Sequence, residues 1–190
     1  MHIRTKSELK KNKLILFVFL IFITEYALAQ TTKLEAIVAT KAPNWNVAFQ
    51  KDFGAGKGTI REFLPKREKI KKWKHLATIQ FIEGESLSPI EFMQTLKVKM
   101  TKRCKDTKWN IINETKYTIT YEWSIESCKK NKDQHEIARI LQGNDGLHRI
   151  AYTENKSEMD INNKKLWLSV IYDAYVAKGG PDNPVNLEPY

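Results

Sequence analysis

Residues 117 to 125 read Tyr-Thr-Ile-Thr-Tyr-Glu-Trp-Ser-Ile, aromatic or branched apolar at every odd position and polar at every even one. Side chains of an extended strand point alternately to opposite faces, so this run of period two predicts a strand. Its odd row, Tyr117, Ile119, Tyr121, Trp123 and Ile125, is predicted to be buried. Its even row, Thr118, Thr120, Glu122 and Ser124, is predicted to be wetter. The chain's 2 cysteines, Cys104 and Cys128, flank the run.

The N-terminus bears on where those cysteines reside. Arg4, Lys6, Lys10, Lys11 and Lys13 precede an apolar run from Leu14 to Ile23, and Ala27-Leu28-Ala29 follows. This is the pattern of a secretory signal, and the run is about half the ~20 residues of a spanning helix. Residues 1–29 are read as a signal peptide cleaved after Ala29, the alternative being an uncleaved anchor. Nothing later approaches a transmembrane span. The mature protein is then periplasmic or secreted, and Cys104 and Cys128 are predicted to form a disulfide in an oxidising compartment. Closing a loop of that length stabilises by roughly 3 to 4 kcal/mol.

Removing five basic and two acidic residues from 32 and 22 leaves a formal charge of +7 on the mature chain. Such a balance favours loose attraction to anionic surfaces without naming a partner. The length suits one α+β domain over residues 30–180, with a loosely ordered tail at 181–190.

Along the chain, residues 30–42 carry a weak helical pattern that Pro43 ends. Trp45 to Phe53 and Thr59 to Leu64 read as strands around Gly54-Ala55-Gly56-Lys57-Gly58, the second strand closing at Pro65. The glycine loop lacks the spacing of a phosphate-binding loop, because Lys51 and Gly58 stand where a glycine and a hydroxyl are required. It is read as a hairpin turn, and no nucleotide is assigned. Lys66 to Lys74 is the most basic stretch. Its Lys69, Lys71, Lys72 and Lys74 with Trp73 are candidate anion-binding residues, for a lipid, polysaccharide or other anionic surface. The alternative is a solvated loop with Trp73 in the core. Leu76 to Glu83 resumes strand character.

Ser88-Pro89-Ile90-Glu91 is a capping box with proline at the first helical position, so a helix starts there. Phe92, Met93, Leu96, Met100 and Cys104 share its apolar face. Trp109 to Ile112 is a short candidate strand. Gln134 to Leu141 and Leu147 to Thr153 read as a hairpin around Gly143-Asn144-Asp145-Gly146. With a loop from Gln142 to Gly146, Leu141 faces Leu147 and Arg139 faces Arg149. Two opposed guanidiniums require carboxylates, for which Glu122, Glu126 and Glu62 are available, or a bound anion between them. A one-residue change of register removes the pair. A last helix is predicted from near Asn163, with Leu166, Trp167, Val170, Ile171 and Ala174 on one face and Gly179-Gly180 ending it.

The assembled expectation is an α+β fold: an antiparallel sheet of about six or seven strands, with the two main helices packed on one apolar face. His75, His135 and His148 lie on separate segments, and no hydrolase, metal or cofactor motif occurs. No catalytic residue, metal ligand or cofactor is assigned. Under the register above, His148 with Glu136 and Tyr152 forms the one cluster with acid–base potential, the basis of an alternative reading as a small secreted hydrolase.

Trp45-x-Val47, REFLP at 61–65, Trp73, SPIEF at 88–92, YEW at 121–123, ARI at 138–140 and GLHRIAY at 146–152 together resemble a group of small, uncharacterised exported proteins of Gram-negative bacteria. The order of strands and helices is also similar to the PsbP-like α/β sandwich. The resemblance implies export and a sandwich-like fold, and carries over no catalytic residue. The sequence therefore favours an exported, non-enzymatic binding or accessory protein engaging an anionic partner.

Overall fold

The computed structural model describes residues 44–54, 56–84, 86–128 and 132–174. Residues 1–29, read above as a signal sequence, the 30–42 segment, Gly179-Gly180 and the 181–190 tail lie outside the described residues. Seven strands, β1 (Trp45–Asp52), β2 (Thr59–Pro65), β3 (His75–Glu83), β4 (Lys108–Glu114), β5 (Thr118–Ile125), β6 (Gln134–Gln142) and β7 (Gly146–Glu154), form one sheet. Two helices, α1 (Pro89–Arg103) and α2 (Ile161–Tyr172), and a 3-10 turn at Ile70–Lys72 complete the described elements. The strand order is β1-β2-β3-β7-β6-β5-β4, and every neighbouring pair is antiparallel.

The α+β class, the antiparallel sheet and the two helices are those expected from the sequence. The helices, however, divide the sheet between them rather than sharing a face. Directly paired residues lie on the same face and neighbours along a strand on opposite faces, so register assigns every side chain. Ile137, Ile150, Tyr152, Ala77, Ile79 and Phe63 fall on one face and pack with Trp167, Val170 and Ile171 of α2. Ile119, Tyr121, Trp123, Ile125, Ala138, Ile140 and Ala151 fall on the other and pack with Met93 of α1. Strands β6 and β7 carry apolar residues at both parities, which is what a strand covered on two sides requires.

Each helix starts where its sequence can satisfy free amides. Ser88 caps α1: its hydroxyl accepts from the Glu91 amide at 3.3 Å and its own amide donates to the Glu91 carboxylate at 2.8 Å. Phe92, Leu96 and Met100 pack beside the buried Met93. Cys104 ends the helix by donating its amide to Met100, and its disulfide to Cys128 ties this end to the segment after β5. Helix α2 begins at Ile161, two residues before the expected start, because Asp160 accepts from the Asn162 and Asn163 amides at 2.9 and 3.1 Å. Trp167 stacks on Tyr152 with ring centroids 4.5 Å apart. Leu166, expected on the buried side of α2, is 52% exposed.

Strand β5, the run of period two, starts one residue later than expected. Tyr117 precedes β5, is half-buried and lies under the Lys116 ammonium, 4.9 Å from the ring centroid, while Ile119, Tyr121, Trp123 and Ile125 are buried as expected. Thr118 and Thr120 are buried as well, since α2 roofs their face. At the outer edge, a bulge between Val47 and Phe49 reverses the parity of β1 and leaves both side chains exposed. The glycine loop is the expected hairpin. Gly54, Gly56 and Gly58 have φ of 88°, 75° and 89°, and a Cβ on Gly58 would sit 2.0 Å from the Phe81 carbonyl oxygen.

Candidate functional site

Helix α1 covers only the β5–β6 half of its face. The remaining part, over β2, β3 and the far ends of β7 and β6, forms a cavity of about 330 Å³. Its floor comes from residues of one parity: Ile60 and Glu62 of β2, Leu76 and Thr78 of β3, Arg149 and Thr153 of β7, and Gln134 and Glu136 of β6. Ile70 and Trp73, on the segment between β2 and β3, close it from the side. Glu68 anchors that segment by accepting from the Lys74 and His75 amides at 2.5 and 3.0 Å and meeting His75 Nδ1 at 2.6 Å. Burial alone would raise the Glu68 pKa, but these donors hold it below the ordinary carboxylate value.

The deepest charges in the cavity are paired. Arg149 Nη2 donates to Glu136 at 2.5 Å and its Nε donates to the Tyr121 hydroxyl at 3.1 Å. Glu136 also accepts from Trp123 Nε1 at 2.8 Å and from the Thr153 hydroxyl at 3.1 Å. Burial opposes the Arg149 charge, but Glu136 and Tyr121 outweigh it and keep the guanidinium protonated at any ordinary pH. Burial pushes the Tyr121 phenol upward, so it remains a neutral hydrogen-bonding group. Glu62 differs in kind: its carboxylate accepts no hydrogen bond from the described residues, and burial raises its pKa against the pull of Arg149.

The expected site residues are not gathered in one place. Lys69, Lys71, Lys72 and Lys74 are exposed, and they alternate in sequence with the cavity-facing Ile70 and Trp73. Trp73 is half-buried, its ring neither a free surface platform nor a core residue. Arg139 and Arg149 do not face each other. The hairpin pairs Gln142 with Leu147 and Gly143 donates its amide to Gly146, so the loop is shorter than expected and the register moves by one. Arg139 then lies opposite Ile150 on the α2 face, and Arg149 opposite Ile140 on the α1 face.

Arg139 is 2% exposed and serves the end of α2. Its Nη1 donates toward the carbonyls of Ile171, Tyr172 and Ala174 at 3.4, 3.0 and 3.2 Å. Burial lowers its pKa, and it binds a helix terminus rather than a ligand. Glu122 bridges neither arginine; it takes Lys164 of α2, Asn110 at 3.1 Å and His135 at 3.3 Å.

The same shift disperses the His148 cluster. Glu136 pairs with Thr153 and faces α1, whereas His148 and Tyr152 face α2. His148 meets Asp145 at 2.8 Å and stacks on Phe81, and Tyr152 donates to Glu154 at 2.9 Å. These residues make no shared acid–base site. Among the described residues, no three His, Cys, Asp or Glu side chains are grouped to hold a metal ion, and no helix is long and apolar enough to cross a membrane.

Sequence reading missed Glu62, Thr78, Gln134 and Thr153 as cavity residues. The available signal was polar residues at inward parity, Glu62 between Ile60 and Leu64 and Thr78 between Leu76 and Gln80, in strands that otherwise read as core. No protein-family model, characterised protein or solved structure matches the chain.

Proposed function

We propose that this is an exported, non-enzymatic binding or accessory protein that engages an anionic partner through residues 66–74. The observation that carries this reading is the arrangement of that segment: Lys69, Lys71, Lys72 and Lys74 stand exposed while Ile70 and Trp73 line a concave site. Cations fixed beside a cavity lose less conformational freedom on binding than cations on a free loop, which favours their use as a docking surface. The Cys104–Cys128 disulfide fits export, as does the cationic and apolar N-terminus. The dispersal of His148, Glu136 and Tyr152 favours binding over hydrolysis.

Retention on dextran sulfate and on phosphatidylglycerol vesicles tests this. The expected result is binding at low salt that weakens as the screening length falls from ~10 Å at 0.1 M toward ~3 Å at 1 M, and that disappears in a Lys69→Glu, Lys71→Glu, Lys72→Glu, Lys74→Glu variant. Absence of salt-sensitive retention on every anionic matrix would overturn the anionic partner.

A further inference from the structure

We infer that the anionic partner is a saccharide chain, one uncharged ring of which enters the cavity while its neighbouring acidic groups lie on Lys69, Lys71, Lys72 and Lys74. The inference rests on the anionic-partner reading above and adds the chemistry of the ligand.

The cavity's two kinds of wall suit such a ring. Ile60, Ile70 and Leu76 with Trp73 present apolar surface, while Glu62, Thr78, Gln134 and Arg149 present hydrogen-bonding groups. A sugar ring has the matching division, with C–H faces and a hydroxyl rim. The volume of about 330 Å³ lies at the small end of ligand sites, roughly 300 to 1,000 Å³, and suits a single unit of a chain.

Charge decides which part of an acidic chain goes inside. The guanidinium of the floor is already engaged by Glu136 at 2.5 Å, so it offers no counter-ion that Glu136 does not share. A ligand carboxylate or sulfate in the cavity would also meet Glu62. A hydroxyl would instead donate to Glu62, whose carboxylate otherwise sits half-withdrawn from water without a donor, a costly state. Acidic substituents therefore belong outside, on the lysines.

Calorimetric titration of the disulfide-bonded protein with a hyaluronan tetrasaccharide and with an unsulfated chondroitin tetrasaccharide, both of which alternate a neutral N-acetylhexosamine with a uronate, set against poly-L-glutamate and phosphatidylglycerol vesicles at equal ionic strength, tests the assignment. At least one acidic oligosaccharide should bind about tenfold more tightly than poly-L-glutamate of equal charge. Trp73→Ala and the near-isosteric Glu62→Gln should each weaken the saccharide about tenfold and leave poly-L-glutamate unchanged. The second variant keeps the test decisive if the first disturbs the segment. Equal binding of saccharide and poly-L-glutamate with both variants silent, or binding confined to vesicles, overturns the saccharide and leaves the anionic partner standing. No binding to any of the four overturns both.

Discussion

Arg149 reaches across from β7 to Glu136 on β6 at 2.5 Å, with only 11% and 9% of the two side chains exposed. Buried pairs of this kind are strongly coupled, because removing one partner strands the other charge in a poorly solvated site. Arg149→Met should cost ~3 to 5 kcal/mol in urea unfolding, and Arg149→Met with Glu136→Leu should cost less than the sum of the two singles. Strict additivity would show that the two charges do not depend on each other.

Arg139 is the corresponding device on the opposite face, where it replaces the missing hydrogen bonds at the end of α2. Arg139→Met strips three carbonyls of a charged donor and should destabilise by about 2 to 3 kcal/mol. Amide exchange should quicken first at residues 170 to 174. Protection there equal to the parent protein would refute the capping role.

These two arginines also mark where sequence reading stops. The nine-residue alternation placed Ile119, Tyr121, Trp123 and Ile125 in the core, and Ser88 with Glu91 located the start of α1, because both signals are local. The pairing of β6 with β7 is not local in the same way. Its register depends on how many residues the Gly143–Gly146 turn consumes, and a shift of one sent Arg139 and Arg149 to different faces and took Glu136 away from His148. Nor does alternation show which face a helix will cover when β6 and β7 are apolar on both. The cavity follows from the helices' unequal coverage, which no single segment encodes.

Acid should act through Glu154 and Glu122. Burial alone would raise both pKa values, but Lys156, Asn163, the Asp160 amide and Tyr152 hold Glu154 below the ordinary 4.5, and Lys164, Asn110 and His135 do the same for Glu122. A depressed folded-state pKa gives stability that is complete above the unfolded value and lost as pH falls through the folded one. The melting temperature should therefore decline below about pH 4.5, less steeply in Glu154→Gln. Identical acid limbs in the two proteins would remove Glu154 from this role.

Glu62 should behave with the opposite sign. Its pKa is raised, so its ionisation disfavours the folded state as pH rises through the window above 4.5. Glu62→Gln should match the parent in acid and gain stability relative to it toward neutral pH. A variant destabilised at pH 7 would mean that the carboxylate has a partner in the folded protein.

The Cys104–Cys128 bridge closes a separation of 24 residues, for which chain entropy gives ~3.5 kcal/mol. Cys104→Ser with Cys128→Ser should lose about that much, and the parent should show no thiol reactive to alkylation until reduced. Two thiols labelled in the native protein would exclude the bridge.

The bridge has a consequence for how the two sides of the sheet come apart. Helix α1 is held to the β5 side by a covalent link that pH does not touch, whereas α2 is held by Arg139, Asp160 and the carboxylates of Glu122 and Glu154. Reductants and acid thus attack different layers. A reduced protein at neutral pH should loosen around α1, beside the cavity, while α2 stays seated. An oxidised protein in acid should loosen α2 first, while the disulfide keeps α1 tethered to the β5 side of the sheet.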